Sequence, residues 1–427
     1  MILFEYNKEI GGEWMKRTIL HCDINHCYAQ IEEMKNPALR EVPMAVGGSE
    51  ESRHGIILAK NDLAKKYGIK TGESLREAYR KCPDLRIVPP HYQEYLYYTE
   101  KIKDVYRLYS DQVESFGLDE AWVDLTSTQK YGENGILLAH KIQQQVYDEF
   151  GITISVGVSF NKVFAKFGSD MKKPYGFVII NEMNYKHLLW HRPVEELFYV
   201  GKKTAVKLHS IGIWTIGDLA RSNLYPVKKL LGKVGEMIWL FANGEDVSPV
   251  AFGHINDPVK SIGNGITTKR DVCNPTEAKW IFYVLAESVA ARLKQSGLVG
   301  RVVHISLRDT QLKVINRQKK RMVSTNISDE IVETANELLL ENYSFYLPLR
   351  SLSLSVSDLS EEKSSVQLSF LIDQDQRQKQ KRLDEVVEVI REKYGYDKAF
   401  RCSMKVDSEL TDFNPKKDHI IHPVGFF

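Results

Sequence analysis

The sequence lacks a long apolar run, and no stretch of 18 consecutive apolar residues occurs among its 427 residues. A helix needs about 20 such residues to cross a membrane, so we expect no membrane span. Residues 1–14 also lack the apolar core of a signal peptide, and Met15, followed by Lys16-Arg17, is an alternative start. These absences predict a cytoplasmic protein.

Cysteine is scarce: the chain has five, and none of them forms a Cys-x-x-Cys motif. This usage is typical of a reducing compartment and predicts no disulfide framework. The pairs His21-Cys22 and His26-Cys27 contain residue types that can bind zinc. No second ligand pair follows at a zinc-finger spacing, so we interpret Cys22, on a predicted apolar strand, as an ordinary buried thiol.

Net charge is also low, at +2, but it is unevenly distributed. Residues 1–200 carry a net charge of −3, residues 201–360 one of +6 and residues 361–427 one of −1. A basic central region beside an acidic half suits a protein that binds phosphate backbones with one part and metal ions with another. A solvated basic surface would give the same distribution.

Two adjacent carboxylates, Asp119 and Glu120, stand before the β-prone residues Ala121-Trp122-Val123. The pattern predicts a hairpin with both acids at its tip. Like charges side by side repel each other and burial of either one is costly, so a divalent cation is the simplest compensation. The alternative is an exposed acidic turn without a ligand, and a second acidic element is needed to favour the metal.

That second element is Asp23, at the carboxyl end of an apolar strand predicted over residues 18–22. The residues from Tyr28 onward have helix-forming composition, so Asp23 lies where a buried strand meets a helix. Three carboxylates from two neighbouring strands, with the carbonyl of Ile24, would hold two Mg²⁺ ions about 4 Å apart. Such a pair activates an attacking hydroxyl and stabilises a leaving pyrophosphate, so Asp23, Asp119 and Glu120 are the predicted catalytic residues.

Both acidic elements belong to longer motifs, Tyr28-Ala29-Gln30-Ile31-Glu32 after Asp23 and Asp119-Glu120-Ala121-Trp122-Val123-Asp124. Together they resemble the palm motifs of Y-family (DinB/UmuC-like) translesion DNA polymerases of bacterial type, and the resemblance extends in order over residues 17–360. It implies an α+β multidomain fold, a right-hand polymerase with palm, small fingers, helix-hairpin-helix thumb and α/β little finger. The implied segments are an N-terminal extension at 1–16, the palm at 17–32 and 91–183, the fingers at 33–90, the thumb at 184–250, the little finger at 258–360 and a C-terminal tail at 361–427.

Periodicity predicts the elements between these motifs. Apolar and aromatic residues at three- and four-residue spacing predict helices over 92–112 and 135–150, and a β-branched run predicts a strand over 152–158. Within the fingers we expect short strands at 42–47 and 55–59, followed by a helix over 62–67.

The resemblance assigns Cys27, Tyr28, Lys65 and Lys173 to the incoming nucleotide. The Tyr28 ring would lie beneath the ribose and exclude a 2′-OH, while neighbouring backbone N–H groups bind the 3′-OH. Lys173, in a Lys-Pro-x-Gly segment, would reach the triphosphate. Lys65 would bind phosphate as a point charge, although Asp62 stands where relatives commonly have Tyr. The plain alternative for Tyr28 is a half-buried packing residue.

Two further segments indicate DNA binding. The first, from Val200 to Leu219, resembles a helix-hairpin-helix, which presents backbone N–H groups to a DNA phosphate. Its candidate contacts are Gly201, Lys202, Lys203 and Thr204. The second, from Ser261 to Leu359, predicts a four-stranded sheet with two helices on one face and basic residues that track a duplex on the other. Those residues are Lys269, Arg270, Arg301, Arg308, Lys313, Arg317, Lys319 and Arg321.

Beyond the predicted sheet, Gln367-Leu368-Ser369-Phe370-Leu371 resembles the peptide by which bacterial polymerases bind the sliding clamp. Its candidate clamp contacts are Gln367, Leu368, Phe370 and Leu371. The leading hypothesis is a monomeric, low-fidelity, lesion-bypass DNA polymerase that uses two Mg²⁺ ions to add a dNMP from a dNTP to the primer 3′-OH of primer-template DNA. Two alternatives are an inactive DNA- and clamp-binding accessory protein and a palm-fold nucleotidyl cyclase, which would need no helix-hairpin-helix.

Overall fold

A computed structural model describes residues 17–48, 55–128, 134–253, 258–362 and 374–415. The predicted N-terminal extension and the clamp-binding candidates Gln367, Leu368, Phe370 and Leu371 lie outside these ranges. The chain divides into two compact units, which are described separately. The first contains residues 1–46, 58–71 and 78–256, and the second contains residues 47–57, 72–77 and 257–427.

The first unit is built around a five-stranded sheet of short, largely buried strands. Its members are β1 (Ile19–Ile24), β5 (Val113–Phe116), β6 (Glu120–Asp124), β7 (Ile154–Ser159) and β8 (Phe177–Ile180), in the order β5-β6-β1-β7-β8. β1 pairs antiparallel with both β6 and β7, and β7 pairs parallel with β8. The central position of β1 follows from its composition, because all six of its residues are buried.

Helices cover both faces of this sheet. On one face, α1 (Cys27–Lys35), α4 (Tyr92–Arg107) and α5 (Gly135–Phe150) pack on Leu20, Cys22 and Ile24. On the other face, α6 (Lys162–Met171) covers the alternate residues of β1. The helix predicted over residues 92–112 ends five residues early, because the chain turns after Arg107 and Ser110 donates its hydroxyl hydrogen to the Asp124 carbonyl oxygen.

A small mixed sheet lies between β1 and α4 in sequence. It comprises β2 (Met44–Gly47), β3 (Ile57–Lys60) and β4 (Arg86–Val88), in the order β3-β2-β4. The predicted helix is present as α2 (Asp62–Lys66), whereas α3 (Leu75–Lys81) and β4 were not predicted. Asn61 fixes the start of α2: its side-chain oxygen accepts hydrogen bonds from the backbone N–H groups of Ala64 and Met44.

Five short helices complete the first unit: α7 (Tyr185–Leu189), α8 (Lys202–His209), α9 (Ile216–Arg221), α10 (Leu224–Leu231) and α11 (Lys233–Ala242). A turn containing Gly212, with φ of 80°, joins α8 to α9, as the glycine pattern predicts. Their apolar residues share one core with Phe164 and Phe167 of α6. None of the helices in the described ranges combines the length and the apolar character that a membrane crossing needs.

The second unit has the predicted strand, helix, strand, strand, helix, strand order. Its strands β9 (Ser261–Val272), β10 (Leu298–Asp309), β11 (Val314–Thr325) and β12 (Leu349–Glu361) form an antiparallel sheet in the order β11-β10-β12-β9. The helices α12 (Pro275–Gln295) and α13 (Ser328–Asn342) pack on one face. Further along the chain, α14 (Gln374–Tyr394) and α15 (Ser408–Thr411) contact α12.

Candidate active site

Strand pairing brings together acids that are about 100 residues apart in sequence. Asp23 of β1 lies directly opposite Glu120 of β6 in the antiparallel register. The backbone N–H of Ile24 donates to the carbonyl oxygen of Asp119 over 3.1 Å, which fixes the hairpin tip against the end of β1. The sequence predicted this juxtaposition, since it placed all three acids at the ends of neighbouring strands.

The turn that carries Asp119 is held by a lysine that the sequence analysis did not identify. Gly117 adopts φ of 76°, a conformation that disfavours other residue types, and its carbonyl oxygen accepts a 3.2 Å hydrogen bond from Lys103 Nζ. Burial lowers the pKa of Lys103. A charged residue among the buried positions of α4 was the available signal.

The acids are buried enough to lose part of their acidity. Burial, opposed by Lys173 and reinforced by Glu120, raises the pKa of Asp23 to about 6. Burial and the charges of Asp23 and Glu120 raise the pKa of Asp119 to about 6. The site therefore favours added positive charge.

Two lysines supply positive charge in this structure. Lys173 Nζ lies 2.6 Å from Asp23 Oδ2 and 2.8 Å from Asp170 Oδ1. Although burial lowers the pKa of Lys173, the carboxylates of Asp23 and Asp170 raise it overall. Lys166 Nζ lies 2.7 Å from Glu120 Oε2, a contact that the sequence analysis missed. The signal for this contact in the sequence was the position of Lys166, four residues after Lys162 on a helix that follows a strand of the same sheet.

The donor atoms of the three acids determine which metal ion the site can bind. Within the described ranges, no three His, Cys, Asp or Glu side chains are arranged as a ready metal cluster. The chemistry nevertheless fits a hard divalent cation, because Asp23, Asp119 and Glu120 offer only oxygen donors and their crowding favours a cation. The two lysines already neutralise part of this charge.

The side chain of Tyr28 is fixed beside these acids. Its ring stacks on Tyr95 at 4.3 Å between centroids with an interplanar angle of 13°, and it meets Tyr92 edge-on at 6.1 Å. Tyr95 in turn donates its hydroxyl hydrogen to Glu32 over 2.5 Å. Burial, with smaller contributions from Cys27 and Asp119, raises the pKa of Tyr28. The ring therefore belongs to an ordered aromatic group and is not a loose surface side chain.

The other predicted nucleotide contacts differ in exposure. Cys27 is buried at the start of α1, where burial and the charge of Asp119 raise the pKa of its thiol. Lys65 is exposed on α2. Asp62, Lys65 and Lys60 all influence the lowered pKa of His26, whose main shift comes from burial. Lys65 is thus placed beside the turn between β1 and α1.

The predicted helix-hairpin-helix contacts lie at the start of α8. Gly201 is its N-cap, Lys202 and Lys203 are exposed, and Thr204 is half-buried. The first N–H groups of a helix have no partner within the helix, so this end can face an anion.

The basic residues of the second unit do not all lie on the free face of its sheet. Arg317 and Lys319 pair in register with the buried residues Ile305 and Val303, which face α12 and α13. Since residues alternate between the two faces of a strand, Arg317, Lys319 and Arg321 lie on the helix-covered side. The prediction that these three face away from the helices is therefore wrong.

Contacts to α13 agree with this placement. Lys319 Nζ lies 2.9 Å from Glu337 Oε2, and Arg321 Nη2 lies 3.3 Å from Glu330 Oε2. Arg270 also lies on the helix side, where it is bound to Asp407 and lies 3.3 Å from Glu277.

The opposite face of the sheet presents mostly small polar side chains and glycines. Along β12 it presents Ser351, Ser353, Ser355 and Ser357, which pair with Thr267, Gly265, Gly263 and Ser261 of β9. A Cβ on Gly263 would lie 2.6 Å from the Cβ of Ser355, so a larger side chain there would crowd the serine row. Alternation adds the cations Lys269, Arg308 and Lys320 to this face. Arg301, at a bulge, donates to the carbonyl oxygens of Arg321 and Met322.

Comparisons with known proteins agree with this architecture. Residues 22–170 match the impB/mucB/samB family, and residues 259–370 match the C-terminal domain of that family. A DNA polymerase IV of Acetivibrio thermocellus is 45% identical over 382 residues, which cover 90% of this chain and 96% of the relative. A solved Y-family DNA polymerase chimera has a similar fold, with a TM-score of 0.71 and 23% identity over 80% of this chain and 98% of its own.

The chain belongs to the Y family of DNA polymerases, of the DinB-like bacterial type. Other relatives of this Y-family polymerase are a DNA polymerase IV from Clostridium acetobutylicum, 31% identical over 92% of this chain and 100% of the relative, and DNA polymerase IV 1 of Bacillus subtilis, 33% identical over 89% and 91%. The α+β fold and the family predicted from the sequence are confirmed.

Family membership also gives the class of activity. The chain is a DNA-directed DNA polymerase of the lesion-bypass type, with DNA and nucleotides as substrates and a general dependence on divalent metal. The accessory-protein and cyclase alternatives are not favoured.

Proposed function

We propose that the polymerase adds a dNMP to a primer 3′-OH by two-metal-ion phosphoryl transfer, with Asp23, Asp119 and Glu120 as the metal-binding carboxylates. The observation that supports this assignment is the cross-strand pairing of Asp23 with Glu120, next to the raised pKa values of Asp23 and Asp119. Two Mg²⁺ ions, held by these carboxylates and the Ile24 carbonyl, would supply the charge that acidifies the primer hydroxyl and neutralises the leaving pyrophosphate.

Side chains of the protein would bind and orient the nucleotide. Lys173, now bound to Asp23 and Asp170, would exchange these carboxylates for the triphosphate, whose negative charge is greater. Lys65 would bind phosphate from α2. The Tyr28 ring, held by Tyr95, would lie beneath the sugar and exclude a 2′-OH, with the backbone of Cys27 beside it.

DNA binding is proposed for two surfaces. In the first unit, Gly201, Lys202, Lys203 and Thr204 would bind a backbone phosphate at the start of α8. In the second unit, the free face of the sheet would follow the duplex, because its serines and glycines permit close approach while Lys269 and Arg308 attract phosphates. Lys320, on the same face, lies 3.0 Å from Asp358 Oδ2. Arg301, beside a neutral backbone, is retained as a contact, whereas Arg270 and Arg321 are proposed to stabilise the fold.

The predicted segments carry over as proposals: palm at 17–32 and 91–183, fingers at 33–90, thumb at 184–250 and little finger at 258–360. The five-stranded sheet, the helices α7 to α11 and the four-stranded sheet support this assignment. We also propose that residues 367–371 bind the sliding clamp and that the protein works as a cytoplasmic monomer. The peptide lies outside the described residues, so its support is the sequence alone.

A primer-extension assay with Mg²⁺ tests the active-site assignment. Asp119→Ala should reduce extension by at least about a thousandfold, because it removes a carboxylate that binds the catalytic charge. Binding of primer-template DNA, measured by fluorescence anisotropy, should change less than about threefold. The control is Asp148→Ala, which removes an exposed acid of α5 and should leave extension unaltered. Undiminished extension by Asp119→Ala would refute the assignment.

A further inference from the structure

The contact between Lys166 and Glu120 is not explained by nucleotide binding alone. The ammonium of Lys166 lies 2.7 Å from Glu120 Oε2 and 5.0 Å from the centroid of the Phe116 ring. Both side chains are mostly buried, with 14% and 20% of their surfaces exposed. The lysine therefore occupies an oxygen that a metal ion would need.

The position of Lys166 is fixed by the way α6 packs on the sheet. A Cβ on Gly157 would lie 2.0 Å from the carbonyl oxygen of Ala165 and 2.5 Å from the backbone nitrogen of Ser169, so α6 touches β7 directly at this glycine. Ser169 donates its hydroxyl hydrogen to the Lys166 carbonyl oxygen over 2.8 Å. The hydroxyl contact lies within α6, whereas the backbone contact at Gly157 fixes the helix on the sheet.

A buried histidine also contacts α6: His21 Nδ1 lies 2.8 Å from Ser169 Oγ. His21 Nε2 lies 3.7 Å from Glu120 Oε2, beyond hydrogen-bond distance, and has no hydrogen-bond partner among the described residues. The cation in contact with Glu120 is therefore Lys166.

We propose that Lys166 is a positioning residue. Its ammonium binds the Glu120 carboxylate and thereby competes with the divalent cation for that carboxylate. The proposal rests on the function proposed above. Lys173 plays the same part at Asp23, but the triphosphate of a nucleotide can attract Lys173 away. Without a nucleotide, both carboxylates are paired with lysine and the divalent cation binds weakly. A nucleotide frees Asp23, while Lys166 continues to compete with the cation at Glu120.

The chain provides a matched control for Lys166. Lys162 lies one turn earlier on α6, and its Nζ lies 2.6 Å from Oε1 of Glu114, an acid outside the predicted metal-binding set. Loss of the Lys162 charge should therefore leave cation binding at Asp23 and Glu120 unaltered. Lys166→Arg is the conservative variant, because it keeps a positive charge on the same helix position.

The test is the binding of Mn²⁺, without DNA or nucleotide, measured from the free-ion signal in electron paramagnetic resonance. Lys166→Gln should bind Mn²⁺ about tenfold more tightly than the unmutated protein, because a unit charge near the ion has been removed. Lys162→Gln and Lys166→Arg should stay within about twofold of the unmutated protein. Unchanged or weaker binding by Lys166→Gln, or equal tightening in Lys166→Arg, would overturn the proposal.

A second measurement uses the unmutated protein and does not depend on the folding of a variant. Acetylation of lysines, followed by mass spectrometry, should label Lys166 several-fold faster when Mn²⁺ saturates the site, while labelling of Lys162 stays constant. Labelling of Lys166 that Mn²⁺ does not change would contradict the competition. Primer extension by the unmutated protein with Mg²⁺ tests the proposed function separately, so extension without a Lys166 effect would refute only this inference.

Discussion

Ion pairs in the two units share the same charges but differ in geometry. In the first unit, Lys166 and Lys173 each contact one carboxylate of the candidate active site through a single ammonium. In the second unit, Glu287 receives both Arg391 and Arg401, each at 2.7 Å. An ammonium is a point charge that can change partners, whereas guanidinium groups that converge on one buried acid form a fixed lattice. The comparison separates exchangeable pairs, suited to chemistry, from pairs that hold the fold.

Burial sharpens this difference. Only 8% of the Glu287 side chain and 5% of the Arg391 side chain are exposed. Arg401 also lies 2.6 Å from Asp329 and donates to the hydroxyl of Ser328. These contacts join Arg391 and Arg401, which follow the residues matched by the family model, to α12 and α13. We interpret this C-terminal region as an integral layer of the second unit.

The largest expected contrast comes from removing one acid of each kind. Glu120→Ala should reduce primer extension by at least about a thousandfold. Its cost in stability should be smaller than that of Glu287→Ala, because loss of the Lys166 ion pair is offset by relief of repulsion with Asp23 and Asp119. Glu287→Ala should leave extension chemistry intact but cost about 3–5 kcal/mol of stability in the second unit, because the buried Arg391 loses its carboxylate partner and Arg401 loses one of its ion pairs. Urea denaturation and primer extension on both variants measure the contrast. A Glu287→Ala protein as stable as the unmutated protein would contradict the interpretation that these ion pairs stabilise the second unit.

Within the first unit, the Tyr28 stack is expected to be fixed while the lysines exchange. Tyr28→Ala should raise rNTP incorporation relative to dNTP by about a hundredfold, because removal of the ring removes the steric exclusion of the 2′-OH. One such contact can discriminate between substrates by about that factor. Tyr28→Phe, which keeps the ring on Tyr95, should retain discrimination and serves as the control. The ratio of kcat/KM for the two nucleotides gives the result. Equal ratios in Tyr28→Ala and the unmutated protein would contradict the proposed exclusion of the 2′-OH by Tyr28.

The pH dependence of stability should have opposite signs in the two units. Burial raises the pKa of Asp23 and Asp119 to about 6, while unfolded aspartate has a pKa near 4. The folded first unit therefore binds more protons between these values, so its free energy of unfolding rises as pH falls from 7 to 5 without metal. In the second unit, Asp407 has its pKa lowered, because Arg270 outweighs the effect of burial. That contribution is present above about pH 4 and is lost as pH falls further.

Urea denaturation in the presence of a chelator, at pH 7 and at pH 5, checks the first sign. Asp119→Asn should flatten the rise, since asparagine cannot take up a proton. Arg270→Gln should reduce the free energy of unfolding at pH 7 and should make its decrease below pH 4 less steep. A first unit that loses stability between pH 7 and pH 5 would show that its carboxylates are compensated more completely than the geometry indicates.

The sequence predicted the acid cluster well because strands impose a period of two residues and antiparallel ends meet at one edge. Asp23 lies at the end of β1 and Glu120 at the start of β6, so they become neighbours once these two strands pair antiparallel. Lys166 was missed because a lysine on an amphipathic helix is consistent with many contacts, and only the close packing at Gly157 decides which one forms. The end of the helix at Arg107 was misplaced because Tyr109 continues the apolar spacing although it packs from the following turn.

The faces of β11 could not be read from the sequence for a related reason. Arg317, Lys319 and Arg321 alternate with Gln318 and Lys320, so both faces of the strand are polar and the pattern has no apolar side. Only the register with Val303 and Ile305 shows which cations lie under α13. Nor did the sequence indicate that α14 would pack on α12, because its partners are charges far away in the chain.

The smallest expected effect concerns DNA binding by these cations, and it tests whether paired and free charges act differently. Arg308, exposed on the free face, should bind a phosphate, so Arg308→Ala should lower the slope of log K against log salt concentration by about one. Lys319→Ala, which removes an equal charge from the helix side, should leave that slope unaltered, because Glu337 already neutralises it. Anisotropy titrations at several salt concentrations measure both slopes. A decrease of the same size for Lys319→Ala would mean that surface ion pairs in this unit exchange as readily as the lysines of the active site.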